Sequence, residues 1–207
     1  MSARPRPRPP LAIELEPLAP GTELVRVHDR RFAATEFNPL ARPSARFRPF
    51  GEPIVPTMYA ARDDDTALAE SVFHDVPVRG ERRLPRAALT GRVLSRIAPT
   101  RELRLIALHG YGLKRLGVTH GELIEAPASA YAWTAQWGAA LHAAAPNADG
   151  IVSMARRFTG RPALILFGDR VGGGELSVTS APVPLWYGPG LELVEQAAMR
   201  SDIALLL

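Results

Sequence analysis

The chain contains no cysteine, which excludes both a disulfide framework and any thiolate metal site. Lysine is almost as scarce: Lys114 stands alone, and every other member of the 25 Lys and Arg residues is arginine. Aromatic residues make up only 7% of the sequence, and no apolar run approaches the length that spans a bilayer. The opening residues SARPRPRPP carry no secretory hydrophobic region, so a cytoplasmic protein without membrane attachment is expected. No Gly-x-Ser-x-Gly elbow is present, which argues against a Ser-His-Asp hydrolase. The five histidines, at positions 28, 74, 109, 120 and 142, show no paired helical spacing with a carboxylate, and no metal is expected.

What remains is enough for one core. At 207 residues and 46% hydrophobic, the chain can bury a single sizeable interior, and one domain over 21–207 behind a Pro/Arg-rich tail over 1–20 is the default. Alternating arginine and proline from Arg4 to Pro10 disfavours helix and predicts an extended, disordered segment. The net charge of +4 and pI near 10.1 favour anionic partners, and arginine suits bidentate recognition of phosphate. The arginines are nevertheless scattered among acids from Arg4 to Arg200, which fits a solvated mixed surface better than a nucleic-acid interface.

Periodicity predicts strands at Leu24 to Val27, Val55 to Ala61, Leu103 to Leu108, Ile151 to Met154 and Ala163 to Phe167. Helices are expected at the turn Gly110 to Gly117, at Ala128 to Ala144 before Pro146, and at Leu191 to Met199 ahead of the apolar tail Ile203 to Leu207. Between the first two strands, Asn38, Pro39, Pro43 and Pro49 space an irregular stretch that crosses the surface or lines a cleft. VGGGELS, from Val171 to Ser177, lacks the lysine of a phosphate loop and reads as a flexible hairpin turn.

The segment Arg46 to Glu70 groups an arginine, a tyrosine and a glutamate around one strand-to-helix turn, a set that can hold a dinucleotide. Asp63 to Asp65 and Thr66 supply capping oxygens ahead of Ala67, Leu68, Val72 and Phe73. Glu70 is expected in the second turn of that helix, aligned with Ala67 and His74 and facing away from Leu68. By itself the pattern equally describes an amphipathic helix with a solvated glutamate and a half-buried strand tyrosine.

The runs GEPIVPTMYAARDDDTALAESVFHDVP and DGIVSMARRFTGRPALILFGDR resemble the RES domain family over most of the chain from about Leu24 onward. The anchor segments are a tyrosine eleven residues before the glutamate of an Ala-Leu-Ala-Glu helix, and a Gly-Ile turn leading to an apolar strand that ends Leu-Phe-Gly-Asp-Arg. The resemblance implies a compact α/β (α+β) single domain with a mixed, partly split β-sheet similar to ADP-ribosyltransferases. It implies the toxin of a bacterial toxin–antitoxin pair that takes NAD as substrate, either depleting it by hydrolysis or phosphorolysis or transferring ADP-ribose to a protein. It also implies an Xre-type antitoxin partner, a homodimer or toxin–antitoxin hetero-oligomer, and nucleic-acid contact only through the antitoxin.

Breaking the nicotinamide–ribose bond develops oxocarbenium-like charge, which a carboxylate stabilises more in the transition state than in the ground state. By resemblance, Glu70 is that carboxylate, Arg46 and Arg26 contact the pyrophosphate, and Tyr59 is the active-site tyrosine. The family serine is displaced: counting from Gly150 to Arg156 puts Ala155 at its position and Ser153 where an aromatic belongs. Positions two apart share a strand face about 6 to 7 Å apart. Three readings follow: Ser153 substitutes, water or a backbone group takes over, or the chain is a catalytically weakened binding module.

Overall fold

The computed structural model describes residues 4–39, 46–47, 50–158 and 160–206. Ten strands are assigned: β1 (Leu15–Leu18), β2 (Leu24–Asp29), β3 (Thr57–Ala61), β4 (Arg83–Pro85), β5 (Arg92–Pro99), β6 (Leu103–Leu108), β7 (Gly150–Met154), β8 (Pro162–Phe167), β9 (Leu176–Pro184) and β10 (Ala204–Leu206). Five α-helices accompany them: α1 (Asp64–Ala69), α2 (Gly110–Leu116), α3 (His120–Leu123), α4 (Tyr131–Ala144) and α5 (Gly188–Arg200). Eight strands form one mixed sheet in the order β1-β6-β7-β8-β3-β2-β5-β9, while β10 and β4 pair separately. Only β6 and β7 run parallel within the large sheet, and the crossover between them carries α2, α3 and α4, as a parallel pair requires. No described helix is long and apolar enough to cross a membrane.

Alternation along the strands sorts the core. Ile151 and Ile165 pack with Trp137 and Leu141 of α4, whereas Val152, Leu164 and Leu166 fall on the opposite face with Met58 and Ile97. A third cluster joins Leu68 and Phe73 to Val194 and Ala197 of α5. Trp137 and Leu141 are buried completely or nearly so, each contributing roughly 1.5–3 kcal/mol by leaving water.

The sheet is split where it matters. β2 and β3 are in register only at Val25 and Ala61, while β3 pairs with β8 over all five of its residues. The two strands therefore diverge beyond Val25, opening a gap beside Arg26 and Tyr59. The expectation of a single mixed α/β domain with a split sheet is borne out.

Several local expectations are corrected. Within the expected tail over 1–20, the described residues 4–20 are not free: Leu15–Leu18 pair with β6, and Leu11 and Ile13 pack against the α4 core. The alternation of arginine and proline masked a strand-forming segment immediately after it. α1 ends at Ala69, and Glu70 is its C-cap rather than a second-turn residue. Residues 171–177 do not close a hairpin, because β9 pairs with β5 and not with β8. Pro43, Pro49 and Leu207 lie outside the described residues.

Candidate functional site

α1 begins where Asp63 accepts a 2.8 Å hydrogen bond from the Thr66 backbone N–H, satisfying one of the free donors of a helix start. Its brevity brings Glu70 to the C-cap, directed away from the buried Leu68. There Glu70 Oε1 accepts a 2.7 Å hydrogen bond from the Arg157 backbone N–H. The Arg157 side chain in turn donates to the His74 carbonyl at 3.0 and 3.2 Å. The turn after β7 is thus clamped to the turn after α1, with the glutamate carboxylate as one of the fastenings.

Arg46 reaches the same place from the other side. Thr134 of α4 donates to its carbonyl, and the next residue, Phe47, donates its N–H to the Tyr59 hydroxyl at 3.2 Å. The Arg46 side chain is buried, and its Nε has no hydrogen-bond partner among the described residues. Burial pulls the guanidinium below its ordinary pKa, partly offset by Glu70, Tyr59 and Tyr131 and reinforced by Arg156. A buried cation with an unused donor is costly in a finished structure. It is well suited to an anion that arrives later.

Arg26 is buried on β2, donates to the Ala34 carbonyl at 2.7 Å, and is lowered to about 10 by burial, with Glu36 opposing. Tyr59 presents two ends. Burial pushes its phenol well above its usual pKa, with Arg46 opposing, yet the residue as a whole is 40% exposed, so part of the ring remains open for stacking while the hydroxyl is held.

The five residues singled out from the sequence, Arg26, Arg46, Tyr59, Glu70 and Ser153, all line one cavity of about 50 Å³. Ser153 sits two residues beyond Ile151 on the α4 face of β7. Ala155 is fully buried outside that lining, its N–H donating to the Arg161 carbonyl at 2.8 Å. The structure also brings in residues that sequence reasoning missed: Arg157 through its backbone, Ser71 in the cavity wall, and Tyr131 and Arg156 beside Arg46. Arg156 follows the displaced serine position directly, the one signal that singled out this turn in the sequence.

A larger groove of about 400 Å³ lies beyond Arg157, walled by Phe73, Val76, Phe158, Ala197 and Ile203. Two of its arginines are already matched, Arg200 by Asp65 and Arg82 by Asp202. The smaller cavity, with its converging and underpaired polar groups, is the better candidate for chemistry. Among the described residues, no group of three or more His, Cys, Asp or Glu side chains is placed to hold a metal ion.

The model of the RES domain family matches residues 23–187. Among solved structures, the chain resembles one from the crystal structure of the M. tuberculosis MbcT–MbcA toxin–antitoxin complex. The TM-score is 0.58 at 17% identity, covering 85% of this chain and 88% of that one. At that identity the likeness is one of fold. No curated protein matches the chain.

Proposed function

The chain belongs to the RES domain family, and from that premise we propose that it is the toxin of a toxin–antitoxin pair and depletes NAD by cleaving the nicotinamide–ribose bond. The observation that carries this reading is the convergence of Arg26, Arg46, Tyr59, Glu70 and Ser153 on one cavity. In hydrolysis, water adds to the ribose carbon as its bond to nicotinamide breaks, giving ADP-ribose, nicotinamide and a proton. Phosphorolysis puts phosphate in the place of water.

Each residue has a task. Glu70, fixed by the Arg157 N–H, faces the developing oxocarbenium charge and holds a ribose hydroxyl. Arg46 offers its unused Nε to the pyrophosphate, with Arg26 as a second cation. Tyr59 packs its open ring face on nicotinamide or ribose. Ser153 takes the role of the family serine, supported by its place in the cavity wall while Ala155 stays outside it. The cavity of about 50 Å³ has room for little more than one or two waters, so it takes only the reacting part of the dinucleotide and the rest lies outside it.

The partner in this reading is an Xre-type antitoxin that covers or enters the cleft, in a toxin–antitoxin hetero-oligomer or beside a homodimer, in the cytoplasm. That the chain resembles a chain solved within a toxin–antitoxin complex supports such a partner. A second reading keeps the same site and passes ADP-ribose to a protein instead of water.

Induced expression in bacteria tests the proposal. Wild type should collapse the NAD pool and arrest growth, and Glu70→Ala should do neither. An intact NAD pool beside ADP-ribose-labelled protein would favour transfer. An unchanged pool, with no label from soluble protein, would point to the weakened binding module.

A further inference from the structure

The segment from Arg4 to Ala12 lies against the domain away from the cavity proposed for NAD. The indole N–H groups of Trp133 and Trp137, one turn apart on α4, both donate to the carbonyl of Pro5, at 3.0 and 3.1 Å. Arg4 lies over the Trp133 ring at 5.7 Å. Two donors on one carbonyl define a dock for an extended proline segment, which brings its backbone acceptors prearranged.

Docking sorts the alternating sequence by side. Pro5 and Pro7 are half-buried against the domain, whereas Arg4, Arg6 and Arg8 are exposed. Residues up to Ala12 then run beside the end of α2, and Arg6, Arg8 and Arg115 line an open groove of about 480 Å³. Lys114 adjoins Arg115 and lies 5.9 Å from the Tyr111 ring. None of Arg4, Arg6, Arg8, Lys114 and Arg115 forms an ion pair with a carboxylate among the described residues. Elsewhere on the surface Arg31, Arg82, Arg96, Arg101 and Arg200 are matched, while Arg30, Arg62, Arg79 and Arg92 stand singly without a carboxylate partner among the described residues. Arg6 and Arg8 of the strap and Arg115 of α2 thus line one groove without a carboxylate partner among the described residues, with Arg4 and Lys114 next to them in the chain.

We propose that this docked proline–arginine strap, with the end of α2, is a binding site for the phosphodiester backbone of nucleic acid. Arginines supply paired donors to phosphate, and the strap holds them in line without the entropy cost of ordering a free tail. Such contacts position without reading sequence.

The test uses the full-length protein, fluorescence anisotropy and two labelled probes, a single-stranded oligouridylate and a DNA duplex, across a salt titration. If all five cations engage, log affinity falls against log salt with a slope of about −3.5 for the single strand or about −4.5 for the duplex, and the comparison of arms identifies the preferred source. Substituting Arg4, Arg6 and Arg8 together by alanine should flatten the single-strand slope by about two without changing the circular dichroism spectrum. Trp133→Phe with Trp137→Phe keeps every charge but releases the strap, and should weaken binding at least several-fold. Unchanged affinity in either variant overturns the proposal. So does tighter binding to phosphatidylglycerol vesicles than to either nucleic acid, which would make the strap a membrane contact.

Discussion

Two arginine clusters flank β7 and have opposite character. Before the strand, Arg101 donates to Asp149 at 2.8 Å and to Glu175 at 2.5 Å, and Asp149 also accepts the Arg104 N–H at 2.8 Å. Hydrogen bonding to these carboxylates raises the Arg101 pKa. At the far end, near Ser153, Arg46 is buried with an unused Nε, burial lowers its pKa, and its neighbour Glu70 is engaged by the Arg157 backbone. One cluster is saturated and fastens the sheet. The other has been left short of partners, the condition in which a ligand can supply what the protein withholds.

The widest gap between the two clusters should come from removing the carboxylate. Glu70→Gln is expected to lower NAD turnover by about 10²–10³-fold, the usual scale for losing one preorganised electrostatic group, while urea unfolding changes little. Nicotinamide release by chromatography measures the first, and a fall smaller than tenfold would remove Glu70 from the chemistry.

A paired substitution then sets the two arginines against each other. Arg46→Met should cost about 10–100-fold in turnover, corresponding to one or two charge-assisted hydrogen bonds, and should leave stability equal or higher because an underpaired buried cation is gone. Arg101→Met should do the reverse, lowering stability by about 1–3 kcal/mol with turnover unchanged. Denaturation midpoints and steady-state kinetics on the same preparations decide the contrast; equal behaviour of the two variants would erase it.

Gly150 links the clusters, since it follows Asp149 and opens the strand that carries Ser153. A β-carbon there would meet the Ile165 carbonyl oxygen at 2.3 Å, so Gly150→Ala should cost about 1–3 kcal/mol through backbone displacement and disturb both ends. Thermal melting reads the first effect and turnover the second.

The smallest effect is on pH. Burial, with Arg26 nearby, holds the His28 imidazole below its usual 6.5, and burial with Arg170 does the same to His142. The unfolded chain accepts these protons more readily, so the stability they contribute is present above pH 6.5 and is lost as pH falls through the folded-state values. His28→Gln and His142→Gln should each flatten the decline in melting temperature between neutral and mildly acidic buffer.

How much of this was legible in the sequence depended on locality. Tyr59, Asp63 and Glu70 belong to one strand–turn–helix unit, and their spacing alone nearly fixes their relation; Arg46 could be grouped with them from the same stretch of sequence, and the family resemblance tied it and Arg26 to the ligand. Among the strands that escaped notice, β1 with Pro17 and β9 with Pro182 and Pro184 occupy the two edges of the sheet. Proline is tolerated at an edge because its missing N–H can face solvent, and it hides the strand from propensity reasoning. The hold on Glu70 comes from a backbone N–H, which any residue but proline provides, so no side-chain pattern announces it. Ser153 could be proposed from strand alternation, but its presence in the cavity wall depended on β7 pairing with β8, and β8 with β3.

The most direct measurement is nicotinamide release from NAD by the purified chain, with Glu70→Gln and the folded Arg46→Met as controls, in buffer with and without phosphate. The expected result is release by wild type that Glu70→Gln abolishes and Arg46→Met reduces. No release from folded wild type, with water, phosphate or added protein as acceptor, would contradict the assignment of this cavity to NAD cleavage.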